Sequence, residues 1–175
     1  MEALQYPIGR FQKKPKITES ERLDCILQIA EAPENLRESV SGLSSEQLDT
    51  PYRPSGWTVR QVVHHLPDSH MNAYVRMKLA ITESQPRITP YNEKLWAELH
   101  DVKTVPVDTS LTLLGALHER WVTLLRSLSP GDFEKTLLHP EHGVINNDFL
   151  LQLYGWHGRH HVAHITSLRQ RMGWK

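Results

Sequence analysis

Residues 153–166 read LYGWHGRHHVAHIT, four histidines within fourteen positions, and their spacing decides how the chain is read. On a helix, at about 100° per residue, Leu150, Tyr154, His157, His161, His164 and Leu168 fall within one stripe about 100° wide. That is the core-facing side of an amphipathic helix, so three imidazoles point inward among apolar residues. His160 lies at the edge of the stripe, and Arg159 points away from it. His157 and His161 are four apart, so their rings project from successive turns and can offer two nitrogens to one cation. A third ligand has to come from another helix. Burying several imidazoles together costs desolvation unless something pairs with their lone pairs. A divalent metal does so directly, and a buried hydrogen-bonded network is the alternative.

Working outward, Asn146 or Asn147 can cap this last helix, which extends to about Arg171 before Gly173. A third long helix is predicted from about Ser110 to Leu128, with Leu111, Leu114, His118, Trp121, Val122 and Leu125 on one side. His118 reads as a core residue or a neighbour of the ligands. A second long helix starts at the N-cap Thr58 and carries Val59, Val62, Val63, Leu66, Ala73, Tyr74 and Met77 inward, with Pro67 bending it. The first helix starts near Thr18, where Glu21 completes a capping box, and carries Leu23, Ile26, Leu27 and Ala30 inward until Pro33 interrupts it. A further piece runs from Pro33 to Val40, and Ser44–Leu48 forms a short helical turn.

Between these segments, TPYRPSGWT is an irregular connector. Residues 85–107 form a long connection with one helix around Glu93–His100, a crossover suited to non-adjacent helices. LLHPEHGVINND reads as loop, strands are at most incidental, and residues 1–17 form an extended N-terminal segment. The fold class is all-α: residues 1–175 form one domain, a four-helix bundle with a long crossover connection.

The 175 residues carry 20 Lys plus Arg against 20 Asp plus Glu, so no field favours nucleic acid or an anionic membrane. No stretch approaches the roughly 18 apolar residues that a bilayer crossing requires. The single cysteine, Cys25, excludes an intramolecular disulfide, reads as a packing thiol and suits the reducing cytoplasm. There is no G-x-S-x-G, Walker-type loop or dinucleotide fingerprint.

The complement to the histidine stripe lies in VVHHLPDSH of the second long helix, where His64, His65 and His70 are candidates. His65 sits at the margin of the apolar stripe, and His64 points towards solvent. His70 falls inside the stripe only on an unbent helix, so spacing leaves His65 and His70 open.

GWTVRQVVHHLPDSHMNAYVRMKLA, then HPEHG, then LYGWHGRHHVAHITSLRQRMGW resemble, in that order, the DinB-like superfamily and its YfiT branch of metal-dependent hydrolases. The resemblance spans about Gly56 to Trp174. It implies a four-helix bundle of unusual connectivity, often a homodimer, binding one zinc or nickel ion through three histidines. The family's ligands fall on His65, His157 and His161. Many relatives have Gly-Gln where Ala163-His164 stands here, which makes His164, with His160, a candidate for a polar group close behind the ion.

Three neutral imidazoles leave a divalent ion its charge and an open position for water, the pattern of a catalytic site acting by hydrolysis on a small substrate. The same ion can hold a thiol, and some relatives transfer low-molecular-weight thiols such as bacillithiol; an S-transferase is therefore the first alternative, and a non-enzymatic metal-binding dimer module the second. Gly158 stands where zinc proteases of the H-E-x-x-H type have their glutamate. A general base then comes from elsewhere, with Asp68, Glu141 and His142 as candidates, although each also suits ordinary loop or capping duty. Gly155 and Gly158 suit close packing or ligand approach, and Trp57 and Trp156 suit shielding of the ion.

Overall fold

The computed structural model describes residues 2–174. The elements run α1 (Glu2–Gln5), α2 (Glu19–Val40), α3 (Ser45–Leu48), α4 (Val59–Thr82), α5 (Glu93–Trp96), α6 (His100–Thr104), α7 (Val107–Ser127), α8 (Pro130–Glu134), β1 (Thr136–His139), β2 (Gly143–Asn146) and α9 (Asn147–Met172). Four long helices, α2, α4, α7 and α9, make the bundle. Local chemistry sets their ends: Thr18 with Glu21 and Thr58 with Gln61 form capping boxes, Asn146 accepts from the amide of Phe149, and Gly173 closes α9 in the left-handed conformation at φ 65°.

The helices pack in the ring α2–α7–α4–α9, so α2 and α4 lie on one diagonal and α7 and α9 on the other. Arg22 meets Asp148 at the starts of α2 and α9, and Arg169 reaches the carbonyls of Ser39 and Ser41 at their far ends, so these neighbours run parallel. His64 against Ser110 and Met77 against Trp121 likewise make α4 and α7 parallel. The long connection over residues 83–106 therefore joins adjacent helices, where its length suggested non-adjacent ones. A parallel pair obliges the chain to return along α4, about 36 Å for 24 residues at ~1.5 Å each.

Two apolar clusters fill the bundle. One gathers Ile29, Met77, Trp121 and Leu150, the other Leu36, Val62, Leu114 and Ile165. Between them lies a polar layer: His65 and His70 of α4, His118 of α7, and His157 and His161 of α9. The histidines are thus enclosed at mid-height between two dry halves of the core.

Several local expectations are corrected. α2 continues through Pro33, because the Ile29 carbonyl, deprived of its helical donor, takes a hydrogen bond from Nδ1 of His118 at 2.6 Å. Its buried face is Ile26, Ile29, Ala32, Leu36 and Val40, while Leu23 and Leu27 are 54% and 49% exposed. His64 is buried and pairs with the Ser110 hydroxyl at 2.7 Å instead of facing solvent. The N-terminal segment begins with a helical turn, α1. The segment read as loop is an antiparallel hairpin, β1 with β2, whose Leu137 and Ile145 enter the first cluster. Residues 86–88 extend it, since Leu138 donates to the Pro86 carbonyl and accepts from the Ile88 amide. No helix among the described residues is long and apolar enough to cross a membrane.

Candidate metal centre

His65 of α4 and His157 and His161 of α9 aim one nitrogen each into a common space, with the three atoms within 4.8 Å of one another. α4 and α9 run antiparallel, so the one-turn step from His157 to His161 straddles His65. The Nε2 atoms of His65 and His157 are 3.4 Å apart. Bonds of about 2.0–2.1 Å to a tetrahedral zinc ion give an edge of roughly 3.3–3.4 Å, so this pair is spaced to share one ion. Burial pushes His65 and His161 well below the ordinary histidine range and His157 down to about 4, and neighbouring imidazoles add to it. All three are therefore neutral at pH 7, the protonation state a metal ligand needs. His161 Nδ1 is buried and has no hydrogen-bond partner among the described residues. Three converging imidazole nitrogens form a donor set that fits a divalent metal ion.

His70, the competitor for the third ligand, stands behind His157. Its Nε2 is 3.1 Å from His157 Nδ1, and its Nδ1 is 2.8 Å from His118 Nε2. Sequence spacing did not find this contact, because Pro67 made the phase of α4 beyond it unreadable; α4 in fact runs through Pro67 to Thr82. His160 and His164, the candidates for the position behind the ion, make no hydrogen bond to the three converging rings. His160 stacks on Trp156, with centroids 4.2 Å apart. His164 stacks on Tyr52 at 3.9 Å and donates from Nε2 to the Gln5 carbonyl, which fastens α1 to the bundle. Trp57 covers the centre, 4.7 Å from the His65 ring, whereas Trp156 lies against His160 and lines no part of the cavity below.

The three nitrogens open into a cavity of about 350 Å³. Its walls include Arg76, Tyr91, Glu93, Glu141, His142 and Phe149, brought there by α4, the long connection, the hairpin and α9. Glu141 and His142 are therefore in the cavity as the sequence allowed, and Asp68 is not among its lining residues. Burial, with Asp101 adding to it, raises the Asp68 carboxyl to about 6. Arg76, Tyr91 and Glu93 carried no sequence signal of a site.

His139, Glu141 and His142 form a second constellation with metal-ligand atoms close together at the cavity rim. There His139 Nδ1 accepts from the Glu141 amide at 3.2 Å, which places the hydrogen of the neutral ring on Nε2. That tautomer presents no lone pair at Nε2.

Comparison with known proteins agrees with this architecture. The family model described as the DinB superfamily matches residues 28–165. Proteins of Bacillus mycoides strain KBAB4 and Bacillus cereus strain B4264, each named "Putative metal-dependent hydrolase", are 55% identical over 174 residues, covering 99% of this chain and 100% of each relative. The structure of YfiT from Bacillus subtilis, described as "a probable metal-dependent hydrolase with an unusual four-helix bundle topology", superposes with a TM-score of 0.96 at 48% identity and covers 99% of both chains. With its bundle, its three ordered motifs and its matches over nearly the whole length, the chain belongs to the DinB superfamily.

Proposed function

We propose that this chain is a cytoplasmic metal-dependent hydrolase of small substrates, with His65, His157 and His161 holding one divalent ion per subunit, zinc first and nickel second. The observation that carries the proposal is the convergence of three neutral imidazole nitrogens on the floor of an open cavity. The names of the relatives support the same class of activity.

An ion held by three imidazoles keeps its full charge and supplies Lewis-acid chemistry, lowering the pKa of water or a thiol and polarising an electrophilic carbon. The chain provides the surroundings. Trp57 and Phe149 give the cavity apolar wall. Glu141 or His142 accepts the proton released by the attacking nucleophile, and Arg76 attracts an anionic group on the substrate.

A second reading has an observation of its own. No carboxylate oxygen among the described residues belongs to the close cluster of ligand atoms from His65, His157 and His161, so Glu141 stands farther from the three nitrogens than they do from one another. A thiol, with a pKa near 8.5 against about 15.7 for water, ionises with less help from a base. This supports an S-transferase joining a low-molecular-weight thiol of the bacillithiol type to an electrophile. A metal-binding dimer module without catalysis has no use for the cavity. We propose that the chain forms a homodimer, for which Leu23 and Leu27, exposed on α2, are apolar material for an interface.

Metal analysis of the purified protein tests the centre. One ion per chain is expected in the wild type and in His164→Ala, with loss in His65→Ala, His157→Ala and His161→Ala; retention in those three would reject the site. Activity panels then separate the chemistries. Hydrolysis of esters or amides by the zinc form without added thiol supports the hydrolase, and a conjugate formed only with a thiol and an epoxide or haloarene supports the transferase. Sedimentation velocity reads the oligomeric state.

A further inference from the structure

The imidazoles behind the candidate ligands are joined by hydrogen bonds that run in one direction. A backbone carbonyl can only accept, so His118 Nδ1, 2.6 Å from the Ile29 oxygen, carries a hydrogen and donates it. In an uninterrupted helix that oxygen receives the N–H of residue 33, and Pro33 has none. His70 and His118 are 0% and 2% exposed, and the hydrogen-bond partners of the two rings are imidazoles and a carbonyl, with no carboxylate among them. Uncompensated charge is excluded from such a place, so each ring has one hydrogen.

The tautomers then follow in order. With its hydrogen on Nδ1, His118 presents a lone pair at Nε2, and His70 Nδ1 donates to it across 2.8 Å. His70 Nε2 is consequently a lone pair, and His157 Nδ1 donates to it across 3.1 Å. His157 is left with a bare Nε2, the nitrogen 3.4 Å from His65 Nε2 in the convergent trio. Trp121 stands edge-on to the His70 and His118 rings, and Tyr154 edge-on to His70, which hold the relay in place.

We propose that His70 and His118 are positioning residues which, anchored on the Ile29 carbonyl that Pro33 leaves free, lock His157 in the tautomer whose Nε2 faces the metal position. Without the relay, His157 distributes its hydrogen between both nitrogens and spends part of its time unable to bind an ion. The effect on metal binding rests on the metal-centre reading above; the tautomer order does not.

Long-range proton–nitrogen correlation spectra of the metal-free full chain, with nitrogen-15 in its histidines, read where each ring carries its hydrogen. The expected result is Nδ1–H at His118, His70 and His157; Nε2–H at His70 or His157 overturns the proposal. Zinc affinity, measured by competition with a chelator, supplies the second arm. His118→Leu leaves His70 without an acceptor and weakens zinc binding by about tenfold or more. His118→Gln keeps an oxygen acceptor for His70 and recovers most of that loss. Equal zinc affinity in wild type and His118→Leu overturns the proposal, and if His118→Leu fails to fold, the wild-type spectrum decides alone. The expected tautomers in a protein that takes up no zinc uphold the relay and overturn the metal centre instead.

Discussion

Gly158 and Ala32 approach so closely that a Cβ built on the glycine lies 2.9 Å from the alanine Cβ. The same added carbon lies 3.7 Å from Cε1 of His70. Gly158 thus sets the distance between α9 and α2 at the level of the histidine layer. Gly158→Ala gains helix propensity of up to ~1 kcal/mol but overpacks a site that has no flexible neighbour, so net destabilisation of about 1–3 kcal/mol is expected in urea unfolding. Adding Ala32→Gly removes the opposing methyl and recovers part of that loss; a fully additive double variant would show that the two residues do not press on each other.

Acid removes stability from the metal-free protein. His64, His65, His70, His118, His139, His157, His160, His161 and His164 are all held below the ordinary histidine value, with burial the leading cause in each. A depressed histidine contributes stability that is present above its unfolded value near 6.5 and is lost as pH falls towards its folded value. Those folded values are about 4 for His118 and His157 and about 3 for His160. Asp68, raised to about 6, acts in the opposite sense but alone. The urea midpoint should be flat from about pH 8 to about pH 7 and fall steeply below about pH 6.5; a midpoint unchanged down to about pH 5 would contradict the burial described here.

Zinc should stabilise the fold by mass action. At a free concentration about 100 times its Kd, an ion that binds only the native state adds about 2.7 kcal/mol, roughly 5–10 °C in Tm for a domain of this size. Thermal unfolding of His161→Ala should show none of that rise. His164→Ala loses its bond to the Gln5 carbonyl and lowers Tm without metal, yet keeps the zinc-dependent increment. Loss of the increment in His164→Ala would place that ring at the ion.

Arg22 grips Asp148 through two bonds of 2.7 and 2.8 Å, with side chains only 17% and 14% exposed. The pair ties the first turn of α2 to that of α9, where the carboxylate also meets the positive end of the α9 dipole. Asp148→Asn is expected to destabilise by about 1–3 kcal/mol, between the values of exposed and buried pairs. A double-mutant cycle with Arg22→Gln measures the coupling; zero coupling would leave packing alone to hold the two helix starts together.

Features governed by neighbours in sequence were the readable ones. Thr18, Thr58, Asn146 and Gly173 act within one helical turn, and the His157–His161 pair is itself a one-turn relation. What depended on distant partners was hidden. Pro33 looked like an interruption because the donor that relieves it, His118, is 85 positions away on α7. His70 was unreadable beyond Pro67. The hairpin escaped because each strand has four residues and only Leu137, His139 and Ile145 are buried on it. Parallel pairing of α4 with α7 left only a length, and length alone cannot tell a return path between neighbours from a passage across the bundle.

The arrangement also sets a time. His65 and His157 are separated by 92 positions, which at ~5–20 residues per second puts roughly 5–20 s of ribosomal elongation between their appearances. Throughout that interval α4 has no α9 to dock against, and His65 is without the two α9 imidazoles of the convergent trio. With the proposed ligand set, binding by all three histidines becomes possible only after His161 has been added, and a nascent chain stalled before α9 leaves the apolar faces of α2 and α4 uncovered.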